Sequence, residues 1–190
     1  MQIGIYGGTF DPIHKGHLAL AKAFLDSGEM DEIWFIVSPQ NPFKRNKQLL
    51  DDDARLRMVR AAVENEPDMK ASDYEFHLPK PSYMWNTLCH IREDFPNDKF
   101  ILLIGGDNWE RFSDWYHSAD IVASHRIIIY PRAGCHIDES ALPESVKLFH
   151  TPLIEVSSTD IRERAKRGED ISSMVPKSVG DIIRRNGYYK

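Results

Sequence analysis

Two kinds of hydrophobic pattern alternate along the chain. Four short runs, at residues 3–6, 33–37, 100–104 and 127–130, contain apolar, mostly β-branched or aromatic residues with little polar interruption. Strands that are buried on both faces of a parallel sheet have such near-continuous apolar runs. The four runs therefore predict strands of a parallel sheet, and a further strand is expected late in the chain, around residues 153–156.

Between these runs, apolar residues recur at the spacing of a helix. One stripe lies within residues 18–25 and is followed by Gly28, a residue type that often ends helices. A second stripe, within residues 56–63, follows the acidic run 51–53, which favours a helix N-terminus. A third stripe lies within residues 84–91. The pattern thus predicts a helix after most of the strands.

This alternation predicts an α/β fold, namely one Rossmann-like domain over residues 1–190 whose parallel sheet has helices on both faces. The length agrees, because 190 residues can bury a full core without disulfides or metals. A content of 42% hydrophobic and 28% charged residues excludes a disordered or collagen-like chain. Repeats and Gly/Ser-rich linkers are absent from the sequence.

Charge and apolar run length narrow the range of partners. The net charge of −5 argues against general affinity for nucleic acids or anionic membranes, both of which need a basic face. No apolar run could span a bilayer, and the first residues lack the features of a leader, so we expect a cytoplasmic protein. Cys89 and Cys135, each followed by a histidine, do not have the spacing of a zinc site, so no protein-bound metal is expected. A homo-oligomer is left open.

The segments that follow the predicted strands are the candidates for ligand binding, because parallel sheets bind ligands at the carboxyl ends of their strands. Four such segments are polar, rich in glycine or cationic: residues 7–17, 38–47, 105–107 and 157–162. We expect them to converge on one edge of the sheet.

The first of these segments has the chemistry of a phosphate site. It is neither a Walker A loop nor a G-x-G-x-x-G turn. Gly7 and Gly8 would let a ligand approach the backbone, and His14 and His17 flank Gly16 at the predicted start of a helix. A helix N-terminus with two imidazoles can surround a polyphosphate. The alternative is an ordinary tight turn with surface histidines.

The last segment offers a second anion site. Ser157 opens a capping box at the start of a helix predicted over residues 160–166. Ser158, Thr159 and Arg162 add hydroxyls and a guanidinium to the exposed N–H groups of that helix start. Capping and anion binding are compatible here.

Together the two segments resemble those of the adenylyl/cytidylyltransferase superfamily, which has H-x-G-H early in the chain and S-S-T-x-x-R late. Within it, the chain is similar to bacterial nicotinate-nucleotide adenylyltransferases over nearly its whole length. Further matching stretches are residues 81–88, 104–107, 112–116, 131–134 and 182–189. Met84 and Gly106 depart from the family's usual residues, which affects side-chain contacts at these two positions but not backbone contacts.

The resemblance implies that AMP is transferred from ATP to nicotinate mononucleotide in NAD biosynthesis, with Mg²⁺ held by the ATP phosphates and water. The acceptor's 5′-phosphate would attack the α-phosphorus in line, so the enzyme needs no nucleophile. Catalysis then consists of positioning and charge stabilisation. The implied catalytic residues are His14, His17 and Arg162, with His17 as the donor to the α-phosphate in the transition state.

The implied ATP site spans the two phosphate segments and the turn after residue 104. Its residues are Gly8, Thr9, Phe10, His14, His17, Gly105, Asp107, Ser158, Thr159 and Arg162. Asp107 would accept hydrogen bonds from ribose hydroxyls, and its alternative is the N-cap of a helix over residues 108–111.

The implied acceptor site comprises Lys44, Met84, Thr87, Trp115 and Tyr116. The aromatic pair would stack on the pyridinium ring, and backbone N–H groups near Met84 and Tyr116 would bind the carboxylate. Thr87 would line the same pocket, and Lys44 would hold a phosphate. As alternatives, the aromatic pair belongs to the core, and Lys44 is a solvated lysine in a cationic cluster.

Two other functions stay open from the sequence. Phosphopantetheine and cytidylyl transferases share both phosphate motifs, but they are not expected to carry residues 81–88 and the aromatic pair. A non-catalytic nucleotide-binding regulator could use the same fold. The joint presence of His14, His17 and Arg162 argues against it, because binding alone would tolerate the loss of one of them.

Overall fold

The structure, a computed structural model, describes residues 1–39, 49–153 and 155–190. In these residues a six-stranded parallel sheet has the strand order β3-β2-β1-β4-β5-β6. Strands β1 to β6 are Gln2–Gly8, Glu32–Val37, Met69–Ser72, Lys99–Gly105, Arg126–Tyr130 and Val146–Leu148. The order reverses between β1 and β4, so that the crevice beyond their carboxyl ends is where such a fold binds ligands.

Helices cover both faces of the sheet. Helices α1 to α7 are Lys15–Asp26, Asp52–Val63, Met84–Asp94, Gly106–Trp109, Ser118–Ser124, Ser158–Lys166 and Lys177–Asn186. Short 3₁₀ helices span Tyr74–His77, Phe112–Asp114 and Glu139–Ala141. Within the described residues, no helix combines the length and the apolar character needed to cross a lipid bilayer.

The core consists of two hydrophobic clusters, because successive side chains of a strand point to opposite faces of the sheet. Tyr6 of β1 belongs to one cluster, together with Phe24 of α1 and Ile183 of α7. Ile5 of the same strand belongs to the other cluster, together with Leu88 of α3. The predicted parallel α/β fold with helices on both faces is thereby confirmed.

The predicted helix starts and stops agree with the local hydrogen bonds. The Asp51 side chain is the N-cap of α2 and accepts from the N–H groups of Asp53 and Ala54, at 3.0 and 3.2 Å. After α1, Gly28 takes the left-handed conformation with a φ of +73°, as a helix-ending glycine does. Both signals are local in sequence, which is why they could be predicted.

The strand predicted around residues 153–156 is wrong. Among the described residues there, none is in a strand, and Leu153 is 54% exposed; residue 154 lies outside the described residues. The edge position beside β5 is taken by β6 instead, with Ile128 paired to Lys147. The sequence prediction missed β3 and β6 because these edge strands are short and carry polar residues such as Lys70 and Lys147.

Candidate active site

A cleft of about 490 Å³ lies at the carboxyl ends of β1, β4 and β5. Three of the four predicted segments contribute to its lining, because residues following β1 and β4 and the start of α6 all face it. The fourth segment follows β2. Its residues 40–47, including Lys44, fall outside the described residues.

The two histidines at the start of α1 form a reciprocal capping box. His14 is the N-cap residue, and its Nδ1 accepts from the backbone N–H of His17 at 3.3 Å. The His17 Nδ1 accepts from the backbone N–H of His14 at 3.2 Å, and the two rings stack with centroids 3.6 Å apart. A backbone N–H can only donate, so in a neutral ring the proton is on Nε2. Each ring therefore has an N–H donor at Nε2.

His14 is uncharged at neutral pH. Its side chain is buried, and this burial together with the positive charge of Arg132 lowers its pKa to about 3. His14 thus provides a hydrogen-bond donor rather than a charge. Among the described residues that line the cleft, Arg132 and Arg162 carry positive charge.

Arg162 of α6 is held against the loop that follows β1. Its Nη1 donates to the main-chain oxygen of Asp11 at 2.7 Å, and its Nη2 donates to the Thr159 Oγ1 at 3.2 Å. Ser158 reinforces this junction, since its Oγ donates to the main-chain oxygen of Pro12 at 2.9 Å. The two predicted anion-binding segments are thus joined directly, although they are far apart in sequence.

Ser157 caps α6 as predicted. Its Oγ accepts from the Asp160 N–H at 3.1 Å, but the helix starts at Ser158 rather than at residue 160. The Asp160 carboxylate accepts from the Arg164 Nε at 3.1 Å instead of completing a capping box. Ser157 also lines the cleft.

Sequence reasoning missed Arg132 as a site residue. It follows β5 and lines the cleft, with its Nε 3.8 Å from the Asp107 Oδ1. The guanidinium carbon lies 5.2 Å from the centre of the Tyr130 ring. Within the described residues its buried Nε has no hydrogen-bond acceptor. The sequence did contain a signal for Arg132, because it is a cation that follows a buried strand. The other candidate residues were chosen for the same reason, namely that they follow buried strands.

Asp107 faces the cleft from the first turn of α4. This helix starts at Gly106 with Gly105 as its N-cap, so the alternative that Asp107 caps a helix over residues 108–111 is wrong. The Asp107 side chain is 60% exposed. At Gly105 a Cβ atom would lie 2.5 Å from the Asp107 Oδ1, so a larger residue there would require this carboxylate to move.

The other residues predicted after β1 all line the cleft, but they differ in how far they are buried. Gly8 and Thr9 line the cleft, and the Thr9 main-chain oxygen accepts from Nη1 of the fully buried Arg55 at 2.6 Å. The Phe10 ring is only 3% exposed and lies edge-on to the His17 ring, with centroids 5.1 Å apart. Phe10 also lines the cleft, where its largely buried ring supports the histidine pair.

Met84, predicted for the acceptor, is the first residue of α3, and Tyr116, also predicted for the acceptor, lies beside Tyr83, the N-cap residue of that helix. A Cβ at Gly7 would be 2.8 Å from the Met84 Cε, so a larger residue at position 7 would require the Met84 side chain to move. The Tyr83 side chain makes no capping hydrogen bond to the first turn of α3. Tyr116 is 50% exposed, with its ring centroid 5.0 Å from that of Tyr83. We call the start of α3 together with residues 115–116 the acceptor side.

Trp115 is half-buried, as Met84 is, and Thr87 is buried. The Trp115 ring packs against Phe112, with centroids 5.1 Å apart, and its buried Nε1 lacks an acceptor in the part of the chain that the structure describes. Thr87 is fully buried, and its hydroxyl donates to the Glu75 Oε1 at 2.8 Å. The buried Glu75 also accepts from the Ser38 hydroxyl at 2.7 Å, so it joins α3 to the end of β2.

Comparison with known proteins gives one matching family model. Residues 5–164 match the cytidylyltransferase-like family. The match covers most of the chain and includes both histidines and Arg162.

Curated relatives match over the full length of the chain. A protein of Bacteroides thetaiotaomicron is 47% identical over 184 residues, which cover 97% of this chain and 91% of the relative. A protein of Cytophaga hutchinsonii is 40% identical over 189 residues, which cover 100% of this chain and 98% of the relative. Both carry the name "probable nicotinate-nucleotide adenylyltransferase".

A solved structure has the same fold. It is that of Plasmodium falciparum nicotinic acid mononucleotide adenylyltransferase complexed with NaAD, and the TM-score is 0.85. The likeness covers 99% of this chain and 97% of that one, at 24% sequence identity. At this identity the likeness supports the fold.

Proposed function

The chain belongs to the cytidylyltransferase-like family and, within it, to the nicotinate-nucleotide adenylyltransferases, and we propose that it transfers AMP from ATP to nicotinate mononucleotide. The products are nicotinate adenine dinucleotide and pyrophosphate. One observation carries the proposal for the site: the His14–His17 capping box and Arg162 line the same cleft. Two N–H donors at the N-terminus of α1, together with a guanidinium from α6, suit a triphosphate.

The reaction is a direct displacement at the α-phosphorus of ATP. A 5′-phosphate oxygen of the acceptor forms a bond to this phosphorus, while the bond to the β-phosphate breaks and pyrophosphate leaves with the electron pair. His17 is proposed as the donor to the α-phosphate, and His14, Arg162 and Arg132 as groups that bind the remaining phosphate charge. Because capping and the Asp11 contact fix these donors before substrate binds, their stabilisation of the transition state needs little reorganisation.

The remaining ATP contacts follow from the lining of the cleft. We propose that the Asp107 carboxylate accepts from ribose hydroxyls and that Ser158 and Thr159 contribute to phosphate binding. Gly8 and Thr9 present backbone to the nucleotide, and Gly105 leaves the space that Asp107 needs. We propose that Phe10 acts indirectly, by holding the His17 ring in place through their edge-on contact.

We propose that Mg²⁺ accompanies the nucleotide. The cleft residues assigned to phosphate are chiefly N–H donors, with the hydroxyls of Ser158 and Thr159 beside them. In the described ranges, no group of three His, Cys, Asp or Glu residues could hold a metal ion. The ion would therefore be held by phosphate oxygens and water, where it neutralises phosphate charge.

We propose that nicotinate mononucleotide binds on the acceptor side, at the start of α3 and residues 115–116. Because the Tyr83 side chain does not cap α3, the N–H groups of its first turn are suitable donors for a carboxylate, with the N–H of Tyr116. The pyridinium ring is proposed to stack on Trp115 and Tyr116. Thr87 supports this turn from the core, and Lys44, outside the described residues, is proposed to hold a phosphate. The reaction is proposed to take place in the cytoplasm.

The experiment compares kcat/KM for nicotinate mononucleotide and its amide, measured as pyrophosphate release at saturating Mg-ATP. The amide would turn an NH₂ group toward N–H donors and leave at least one unpaired. An unpaired buried polar group costs about 1–3 kcal/mol, so the acid should be preferred by about tenfold to more than a hundredfold. Equal values or a preference for the amide would contradict the proposed carboxylate site. Turnover with phosphopantetheine alone would indicate another transferase of the superfamily.

A further inference from the structure

The residues after α7 have an unusual backbone and a specific contact. Gly187 ends the helix in the left-handed conformation, and Tyr189 also has a positive φ, of +66°. For a residue with a large side chain this conformation is costly and persists only where the surrounding structure holds it. The adenylyltransferase resemblance extends to residues 182–189, yet the proposed reaction uses none of them.

The Tyr189 side chain reaches the loop that follows β1. Its hydroxyl donates to the Asp11 Oδ1 at 2.7 Å. Burial and the negative charge of Asp11 raise the pKa of Tyr189 well above its ordinary value, so the hydroxyl keeps its proton and remains a donor. Asp11 is only 2% exposed, and its carboxylate therefore depends on donors from the protein.

Asp11 is also the residue that holds Arg162. The Arg162 Nη1 donates to the Asp11 main-chain oxygen at 2.7 Å but is 4.0 Å from the carboxylate Oδ2. The carboxylate thus lies between the Tyr189 hydroxyl and the guanidinium, and hydrogen-bonds the hydroxyl. Without that hydroxyl, the buried carboxylate would gain most by turning toward Arg162, which would then be less available to an anion in the cleft.

We propose that Tyr189 is a positioning residue for nucleotide binding, whose hydroxyl holds the Asp11 carboxylate so that Arg162 stays directed at the phosphates. The proposal rests on the proposed function only because it takes ATP as the nucleotide. It does not depend on which acceptor receives the AMP. Tyr189 does not touch the substrate in this arrangement.

The first test is Tyr189→Phe, which removes the hydroxyl and keeps the ring. Because the hydrogen bond involves a charged group, the KM for ATP should rise about tenfold, with kcat and the acceptor KM within about twofold of wild type. The matched control is Tyr188→Phe, since Tyr188 lines a separate groove beside α6 and α7 rather than the cleft. That control should leave the KM for ATP within about twofold of the wild-type value. A lowered melting temperature with an unchanged KM would show a purely structural role and overturn the proposal.

The second test asks whether the effect passes through Arg162. In an Arg162→Ala background, Tyr189→Phe should change the KM for ATP by less than about twofold, because the group that it positions is gone. An equal tenfold effect in both backgrounds would overturn the proposal. The affinity for Mg-ATP without acceptor, measured by calorimetry, should follow the same pattern. This binding test keeps the two proposals apart, because a protein that binds ATP in this pattern but transfers no AMP would contradict only the proposed function.

Discussion

The two halves of the proposed site are built differently. On the phosphate side, His14 is 2% exposed, both histidines are fixed by reciprocal hydrogen bonds, and Arg162 is held by two oxygens. On the acceptor side, Tyr116 is 50% exposed and the first turn of α3 lacks a side-chain cap. Donors that are fixed before binding suit charges that every nucleotide carries. Exposed aromatic surface suits a ring whose binding removes that surface from water.

The halves also differ in how they join the rest of the protein. Arg162 and Ser158 connect α6 to the loop after β1, so the phosphate side depends on contacts between opposite ends of the sequence. The acceptor side depends on one buried carboxylate, Glu75, which links Thr87 to Ser38. We therefore expect changes on the phosphate side to affect the rate and ATP binding, and changes on the acceptor side to affect one substrate.

The largest effect is expected from His17→Ala. Removal of a donor that acts on developing charge should lower kcat about 10²–10³-fold, equally for acid and amide acceptors. Lys22→Ala is the matched control, because Lys22 is exposed on the same helix. Circular dichroism checks that the variant is folded. Near-normal turnover of His17→Ala would remove this residue from the catalytic role and weaken the contrast between the two halves.

The next largest effect concerns stability and pH. The folded-state pKa of His14 is lowered from 6.5 to about 3, so its contribution is complete above pH 6.5 and is lost as the pH falls toward 3. At about 1.4 kcal/mol per pH unit, the free energy of unfolding should fall by about 2 kcal/mol between pH 6.5 and 5 from this group. His14→Asn keeps an N-cap acceptor but cannot titrate, so its unfolding free energy should fall less. Urea unfolding of wild type and His14→Asn at both pH values measures how much unfolding free energy each protein loses. Equal losses in the two proteins would show that His14 is not held neutral.

Trp115→Ala should act on the acceptor alone. Loss of the stacking surface is expected to raise the KM for both mononucleotides about fivefold to tenfold, because stacking does not distinguish acid from amide. The KM for ATP should stay within about twofold of its wild-type value. Steady-state kinetics with each substrate varied in turn gives these constants. A similar rise for ATP would mean that Trp115 supports the core beside Phe112 and that the halves are not separable.

The smallest effect is expected from Ser157→Ala. The cap of α6 should contribute about 1 kcal/mol to the free energy of unfolding. ATP affinity should be unchanged if the neighbouring Ser158 and Thr159 contact the nucleotide and Ser157 does not. Thermal unfolding and calorimetric ATP binding are compared in the same variant. A large loss of affinity would place Ser157 among the ligand contacts.

Local signals in the sequence were sufficient to predict the central strands of the sheet and the starts of helices. Buried parallel strands leave an apolar run, so β1, β2, β4 and β5 could be predicted within one or two residues at each end. A cap needs only residues two or three apart, which is why the predicted cap at Ser157 and the helix start predicted from the acidic run 51–53 agree with the structure. The cleft was predictable because strand ends of a parallel sheet share one edge.

The sequence by itself determined which residue types follow each buried strand, and therefore the chemistry that this edge of the sheet can offer. Tertiary structure alone decided which of those groups meet. Three features are outcomes of long-range packing: β6 rather than residues 153–156 completes the sheet, burial together with Arg132 lowers the pKa of His14, and the Tyr189 hydroxyl donates to Asp11. Periodicity and capping report the positions of neighbours a few residues apart. Contacts between distant segments depend on how the whole chain buries its apolar surface, and no local pattern records them.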